Sequence, residues 1–173
     1  TTNVLRGKKL FGAKVIPNRG AWLEFETDRD GFIGVKIDRH RKTAATDLLR
    51  IFGLETNAQI SEIFADVDTG EVKYIEKTLA KDAAETVDGS YTEIYKRIRP
   101  GDLATVENAK SLIDAMFQRA DRYDFSRVGR YKLNQRLNID EKIDSRIIRL
   151  EDLILIIKEI IRLNNDQSQE PDD

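Results

Sequence analysis

The 173-residue chain contains no cysteine, which excludes a disulfide framework, a thiolate metal site and a cysteine nucleophile. It has a single histidine, His40, so a metal site built on several imidazoles is excluded as well. Absence of cysteine is typical of proteins that work in a reducing compartment. We therefore expect the chain to be cytoplasmic.

Long apolar runs are also absent. The most apolar stretch, 150–163, is too short for a bilayer and is interrupted by Glu151, Asp152, Lys158, Glu159 and Arg162. It predicts a buried amphipathic helix, and we expect no membrane partner. The chain opens with Thr-Thr-Asn and has no basic segment followed by an apolar one, so no secretory signal is expected.

Motifs for autonomous catalysis are missing. There is no glycine-rich phosphate loop, no glycine-flanked serine elbow and no serine three residues before a lysine. The segment 66–70, Asp-Val-Asp-Thr-Gly, resembles the start of a calcium loop, but Lys77 stands where the bidentate glutamate belongs, and we interpret it as a turn. A free-standing enzyme therefore has no candidate site, and we expect no catalytic residue, metal or cofactor in this chain.

What the chain does have is a composition of 40% hydrophobic and 35% charged residues, typical of one globular domain. Alternating apolar residues predict two strands, over 22–26 and 33–37, joined by the turn Asp28-Arg29-Asp30-Gly31. Pairing Leu23 with Val35 and Phe25 with Ile33 makes one face of this hairpin apolar. The same register places Trp22 beside Lys36 on the opposite face.

Beyond Asp38 the periodicity becomes helical. Helices are predicted over 43–52, after a capping box at 56–59, over about 72–81 and 91–98, after an N-cap at Thr105, and over 150–163. The fold class is therefore α+β, with an N-terminal antiparallel β hairpin or sheet followed by a mainly helical remainder. We expect one domain over 1–163, with strands at about 8–38 and helices at about 43–163, and a disordered polar tail over 164–173.

Charge is distributed unevenly along the chain. The net charge is −2, yet residues 1–50 hold 11 Lys and Arg against 6 Asp and Glu, whereas the remainder holds 18 against 25. A phosphate backbone would be attracted to the N-terminal third. The cations that can follow phosphates there are Arg19, Lys36, Arg39, Arg41 and Lys42, and the outward indole of Trp22 can stack on an unpaired base.

Single-strand binding is the favoured interpretation, because no helix has the arginine and amide pattern of a groove reader. Two alternatives stay open. The basic strand face could instead dock an acidic regulator protein, and added salt would weaken that interaction too. It could also be a solvated surface with no partner, since charge alone does not distinguish these cases.

Four sequence blocks, in order along the chain, share a pattern with a known family. They are 16–26, Ile-Pro-Asn-Arg-Gly-Ala-Trp-Leu-Glu-Phe-Glu; 37–42, Ile-Asp-Arg-His-Arg-Lys; 95–102, Tyr-Lys-Arg-Ile-Arg-Pro-Gly-Asp; and 121–134, Asp-Arg-Tyr-Asp-Phe-Ser-Arg-Val-Gly-Arg-Tyr-Lys-Leu-Asn. In these blocks and their spacing the chain resembles the lobe of the β subunit of bacterial RNA polymerase.

The resemblance implies one part of a multisubunit DNA-directed RNA polymerase, a nucleotidyltransferase whose metal-bound catalytic centre lies elsewhere in the β and β′ subunits. The lobe forms one side of the main DNA cleft, where Trp22 would stack on a base of the non-template strand. The implied partners are DNA, as non-template strand and downstream duplex, the rest of β, β′ and a sigma factor.

The resemblance also implies roles for individual residues. The nucleic-acid side would include Arg39, Arg41, Lys42, Arg130 and Lys132. The gate loop, which faces the clamp across the cleft, would be Arg99, Pro100, Gly101 and Asp102. The chain departs from the family pattern at Leu103 and Ala104, where prolines are usual, and at His40, a position often held by arginine.

Overall fold

The computed structural model describes residues 2–5, 8–118, 123–140 and 142–169, with side chains for 11–117, 123–140 and 142–165. Its strands are β1 (Thr2–Leu5), β2 (Lys8–Phe11), β3 (Ala13–Val15), β4 (Leu23–Thr27), β5 (Ile33–Ile37) and β6 (Thr43–Ala44). Its helices are α1 (Ala45–Phe52), α2 (Asn57–Phe64), α3 (Tyr74–Lys81), α4 (Val87–Ile98), α5 (Val106–Gln118), α6 (Ser126–Leu137) and α7 (Leu150–Gln169).

The strands lie at the N-terminus and the helices follow, which confirms the predicted α+β class. β3, β4, β5 and β6 form an antiparallel sheet in that order, and β1 pairs with β2 in a separate antiparallel hairpin. Neighbouring strands are adjacent in sequence, so short turns can connect all of them.

The predicted pairing between β4 and β5 is wrong by two residues. Leu23 pairs with Ile37 and Phe25 pairs with Val35, not with Val35 and Ile33 as predicted. The predicted register centres the turn on Arg29, whereas the observed one centres it on Asp30 and places Gly31, with a φ of 93°, at the last loop position, where a three-residue hairpin needs a positive φ. Because the shift is by two, every side chain stays on its predicted face.

Several predicted helix boundaries move by a few residues. Thr43 and Ala44 form β6, so the helix predicted from Thr43 begins at Ala45. The capping box is confirmed: the Gln59 N–H donates to Thr56 Oγ1, and the Gln59 side chain accepts the Thr56 N–H. Thr105 caps α5 by accepting the Asn108 N–H at 3.1 Å, as predicted.

The core lies between the inner face of the sheet and the helices. The apolar inner-face side chains of β4 and β5 are at most 2% exposed, and they belong to one buried cluster with side chains of α1, α4, α5 and α7. Alternation thus sends one set of side chains into this core and leaves the other set on the outer face of the sheet.

α7 continues beyond its predicted end, which corrects the expected tail over 164–173. Asn164 and Asn165 are buried in this helix. Asn164 accepts the Phe11 N–H at 2.9 Å and donates to Thr27 Oγ1 at 3.0 Å, and Asn165 donates to Val67 O at 2.8 Å. These polar side chains fit the interior because each has hydrogen-bond partners there. Residues 170–173 lie outside the described part.

In the described part of the chain, no helix combines the length and the apolar character needed to cross a bilayer.

Candidate nucleic-acid interface

Trp22 lies on the outer face of the sheet, immediately before β4, where alternation predicts it. Its indole is partly exposed. The Arg39 guanidinium carbon lies 5.1 Å from the ring centre, and Lys14 Nζ lies 5.9 Å from it. Both distances fall within cation–π range, so one aromatic surface is flanked by two positive charges.

Lys36 is not the neighbour of Trp22 that the predicted register implied. In the observed register Lys36 lies opposite Glu24, and its ammonium is 3.2 Å from Glu26 Oε1. Lys42 Nζ is 4.0 Å from the other oxygen of the same carboxylate, Glu26 Oε2. Lys36 and Lys42, both expected to bind phosphates, therefore share the Glu26 carboxylate as their partner on the outer face.

Arg41 is exposed in the segment between β5 and β6. That segment lies against the last turn of α4, where Arg97 Nε donates to Lys42 O at 3.4 Å. The gate-loop residues follow α4 directly, and all four are exposed. The structure therefore connects the basic segment to the helix from which this loop extends.

The loop 99–102 is a tight turn, as its sequence predicts. The Asp102 N–H donates to Arg99 O at 3.2 Å, Pro100 takes the second position and Gly101 has a φ of 92°. These are the features of a type II turn. The next residue, Leu103, is 78% exposed, so an apolar side chain projects at the end of the loop.

Arg19 lies in the loop before Trp22, and its backbone pairs with Asp124 through two hydrogen bonds of 3.0 and 2.8 Å. Its guanidinium is 3.5 Å from the Asp124 carboxylate, which also accepts Arg146 Nε at 2.7 Å. The hydrogen bond from Arg146, with the Ser126 N–H and the charge of Arg19, lowers the pKa of Asp124 to about 2. The segment that leads into α6 is thus fixed to the loop before Trp22.

Arg130 and Lys132, both expected on the nucleic-acid side, point to different environments. Lys132 is exposed on α6. Arg130 is 2% exposed, and its guanidinium nitrogens bind the Asp152 carboxylate at 2.8 Å. The expectation for Arg130 is corrected here, because a guanidinium buried in an ion pair cannot reach an external phosphate.

Clusters suited to catalysis do not occur in the described residues. No group of three or more His, Cys, Asp or Glu side chains converges to hold a metal ion in 8–118, 123–140 or 142–169. A surface hollow of about 460 Å³ lies at the C-terminal half of α6, and it is lined by Tyr131, Asn134, Gln135, Asn138 and Ile139. No carboxylate, imidazole or ammonium group lines it, so it lacks an acid–base pair.

Two residues of this surface were missed at the sequence level. Lys14 could have been found by extending the alternation to β3, because Lys14 pairs with Glu24 and so faces outward beside Trp22. Glu26 is an outward residue of β4 by the alternation, but its contacts with Lys36 and Lys42 were missed. Its pairing with Lys42 depends on the path of the chain after β5, which alternation does not indicate.

Comparison with known proteins gives one family. The family described as RNA polymerase Rpb2, domain 2, matches residues 8–173. The chain is 50% identical over 137 residues, 79% of its length, to a DNA-directed RNA polymerase subunit beta of Alkaliphilus oremlandii. It is 50% identical over 141 residues, 82% of its length, to the protein of that name in Clostridium botulinum. A third relative with this name, from Bifidobacterium adolescentis, is 39% identical over 164 residues, 95% of the chain.

The chain spans only a small part of these relatives. The matches cover 11%, 11% and 13% of the respective proteins. A family match over nearly the whole chain and identities of 39–50% agree with the resemblance seen in the four sequence blocks. The chain therefore belongs to the family of RNA polymerase Rpb2, domain 2.

Proposed function

We propose that this chain works in transcription as the lobe of a DNA-directed RNA polymerase β subunit, where it forms one side of the DNA cleft and has no catalytic residue of its own. The nucleotidyltransferase centre would lie in other parts of β and β′. The observation that carries the proposal is the partly exposed indole of Trp22 between Lys14 and Arg39. An aromatic ring flanked by cations suits a base and its phosphates.

The proposed binding surface consists of residues that the structure leaves at the surface: Lys14, Arg19, Trp22, Lys36, Arg39, Arg41, Lys42 and Lys132. Trp22 would stack on an unpaired base of the non-template strand, and the cations would follow the phosphates on either side. Arg130 is left out because it is buried against Asp152.

The gate loop would face the opposite side of the cleft and help to control entry of downstream duplex. Its exposed position at the end of α4 and its type II turn support a defined projection from the surface. The rest of β, β′ and a sigma factor are the proposed protein partners, since the relatives are RNA polymerase β subunits. Such an assembly would work in the cytoplasm of a bacterium.

Fluorescence of Trp22 tests the stacking, because it is the only tryptophan of the chain. A short single-stranded oligonucleotide should quench its emission at low salt, and added salt should reverse the effect. With a labelled oligonucleotide, Trp22→Ala should weaken binding by about 1–3 kcal/mol. Lys110→Ala, which removes an exposed cation from α5, is the matched control and should leave binding unchanged.

Two results would count against the proposal. Absence of quenching at low salt would remove the stacking role. A loss in Lys110→Ala as large as that in Trp22→Ala would mean that binding does not depend specifically on the indole. Retention of an acidic regulator from lysate, with no oligonucleotide binding, would instead favour the protein-docking alternative.

A further inference from the structure

The turn after β5 has an unusual backbone. Asp38 and Arg39 have φ values of 54° and 67°, and the His40 N–H closes the turn by donating to Ile37 O at 3.0 Å. Two successive residues with positive φ form the type I′ pattern, which favours glycine and asparagine. Aspartate adopts a positive φ at a moderate energetic cost. Arginine has no side-chain interaction of its own that offsets this cost.

The same turn holds Trp22 in place. The Asp38 carboxylate accepts the Trp22 N–H at 3.1 Å, and the Asp38 N–H donates to Trp22 O at 2.8 Å. One residue therefore satisfies both backbone groups of Trp22. The next residue, Arg39, brings its guanidinium to 5.1 Å from the indole centre.

We propose that Asp38 is a positioning residue, which holds Trp22 and Arg39 in the mutual orientation that the indole needs to receive an unpaired base. This inference rests on the proposed function. Asp38 is exposed and, by this proposal, acts through the backbone of Trp22 and through the turn that places Arg39. Its negative charge would by itself repel a phosphate backbone, so its benefit to binding must come from geometry.

The identity of residue 39 supports a binding role. If the turn served only to connect β5 with β6, glycine at position 39 would relieve the positive φ and stabilise the chain. Non-glycine residues in this region concentrate at binding and active sites, where the strain serves function. Arginine at this position is explained by the guanidinium that it places beside the indole.

Four variants of the full chain separate positioning from stability. Asp38→Ala removes the carboxylate acceptor, and Asp38→Asn keeps an oxygen acceptor and tolerates positive φ. Arg39→Gly keeps the turn and removes the guanidinium. The control is Asp28→Ala at the other end of the hairpin, where Asp28 accepts the N–H groups of Asp30 and Phe32 and has no contact with Trp22.

Each variant is measured in three ways: urea unfolding, acrylamide quenching of Trp22 in the free chain, and anisotropy of a labelled single-stranded oligonucleotide. Asp38→Ala should change the quenching constant and weaken binding by at least about fivefold, the lower end of one lost base stack. Asp38→Asn should leave the quenching constant close to that of the parent chain and should bind the oligonucleotide at least as tightly, because it keeps the acceptor and removes a negative charge. Arg39→Gly should weaken binding without lowering stability, and Asp28→Ala should lower stability without weakening binding.

The inference and the proposed function can fail separately. If Trp22→Ala weakens binding but Asp38→Ala leaves both binding and acrylamide quenching unchanged, the positioning role is overturned and the stacking role stands. If Trp22→Ala has no effect on binding, the stacking role fails. In that case the positioning role for base binding is overturned with it, whatever the quenching in Asp38→Ala shows.

Discussion

Arg130 and Asp152 face each other in the interior of the molecule as a two-pronged ion pair. Nη1 of Arg130 is 2.8 Å from Oδ1 of Asp152, and Nη2 is 2.8 Å from Oδ2. Burial by itself would raise the pKa of Asp152, but the hydrogen bonds from Arg130 and Arg149 outweigh it and lower the pKa. The pair joins α6 to the first turn of α7.

Removing one member of this pair should destabilise the fold strongly. Arg130→Met leaves the Asp152 carboxylate buried without its main partner, and we expect a loss of about 3–5 kcal/mol in the free energy of unfolding. Arg136→Met removes an exposed arginine from the same helix, 3.8 Å from Glu159, and should cost about 0–1 kcal/mol. Urea unfolding at neutral pH measures both variants, and similar losses would refute the buried-pair argument.

A second buried cluster predicts how stability depends on pH. Arg50 is 1% exposed and is bonded to Asp82 at 2.6 Å, to Asn57 at 2.6 Å and to Ser90 at 3.2 Å. Asp47 belongs to the same cluster and accepts hydrogen bonds from the hydroxyls of Thr43 and Ser90. Burial, followed by the nearby Asp82, raises the pKa of Asp47 to about 7.

The folded chain therefore keeps a proton on Asp47 that the unfolded chain loses near pH 4. Stability from this group is fully present below about pH 4 and is lost as the pH rises through about 7. We expect the free energy of unfolding to fall between pH 5 and 8 by on the order of 1–3 kcal/mol. Asp47→Asn keeps the size and removes the charge, so its unfolding free energy should vary less over this range.

Asp124 affects the free energy of unfolding in the opposite direction and over a different pH range. Its lowered pKa of about 2 means that its contribution is present above about pH 4 and is lost as the pH falls toward 2. It therefore does not disturb a measurement between pH 5 and 8. An equal pH dependence in Asp47→Asn and in the parent chain would show that another group controls this range.

The sequence predicts which face of the sheet a side chain lies on better than it predicts which residues pair across the strands. Period-two alternation determines that Leu23 and Phe25 point inward and that Trp22 points outward, whatever the register. The register depends on which loop position takes the positive φ, here Gly31, and alternation does not indicate that position. Lys36 was therefore placed on the right face and beside the wrong neighbour.

α6 was not predicted because its buried side is partly polar. Arg130 and Asn134 lie four residues apart on one helix face and are both buried, where an apolar stripe would normally indicate a core-facing helix. Their partners Asp152 and Ile143 O are 22 and 9 residues away in sequence, so no local pattern reveals them. Arg130 was expected at the nucleic-acid surface from the family resemblance, and because its partner is so far away in sequence, no local pattern indicated that it is buried.

The carboxylate of Glu26 should weaken nucleic-acid binding, because it lies close to both Lys36 and Lys42. Glu26→Gln frees these two ammonium groups, and we expect higher affinity for a single-stranded oligonucleotide with a steeper salt dependence. Each freed lysine that contacts a phosphate should add about 0.7 to the slope of log affinity against log salt.

Glu24→Gln is the matched control for this prediction. It removes one negative charge from the same strand and the same face, so it tests the general effect of charge. Glu26→Gln should increase both affinity and slope more than Glu24→Gln does, as measured by anisotropy over a salt series. Equal gains in the two variants would mean that the specific pairing with Lys36 and Lys42 is unimportant.

Replacing Gly101 and Gly129 by alanine should change the free energy of unfolding in opposite directions. Gly101, in the gate loop, has a φ of 92°, and an added Cβ would meet no atom within 4 Å. Gly101→Ala should therefore destabilise the chain by about 1 kcal/mol, through backbone strain alone. Gly129, in α6, has no positive φ, and its Cβ would make ordinary contacts of 3.5 Å with Phe125 and 3.6 Å with Ser126.

Gly129→Ala should stabilise the chain by up to about 1 kcal/mol, because alanine has less freedom to lose when the helix forms. Urea unfolding of both variants against the parent chain checks the signs. Because neither substitution removes a hydrogen bond or a charge, opposite signs can only come from the backbone. A stabilising Gly101→Ala would mean that the loop relaxes to a negative φ at little cost, and the type II turn would then not fix its projection from α4.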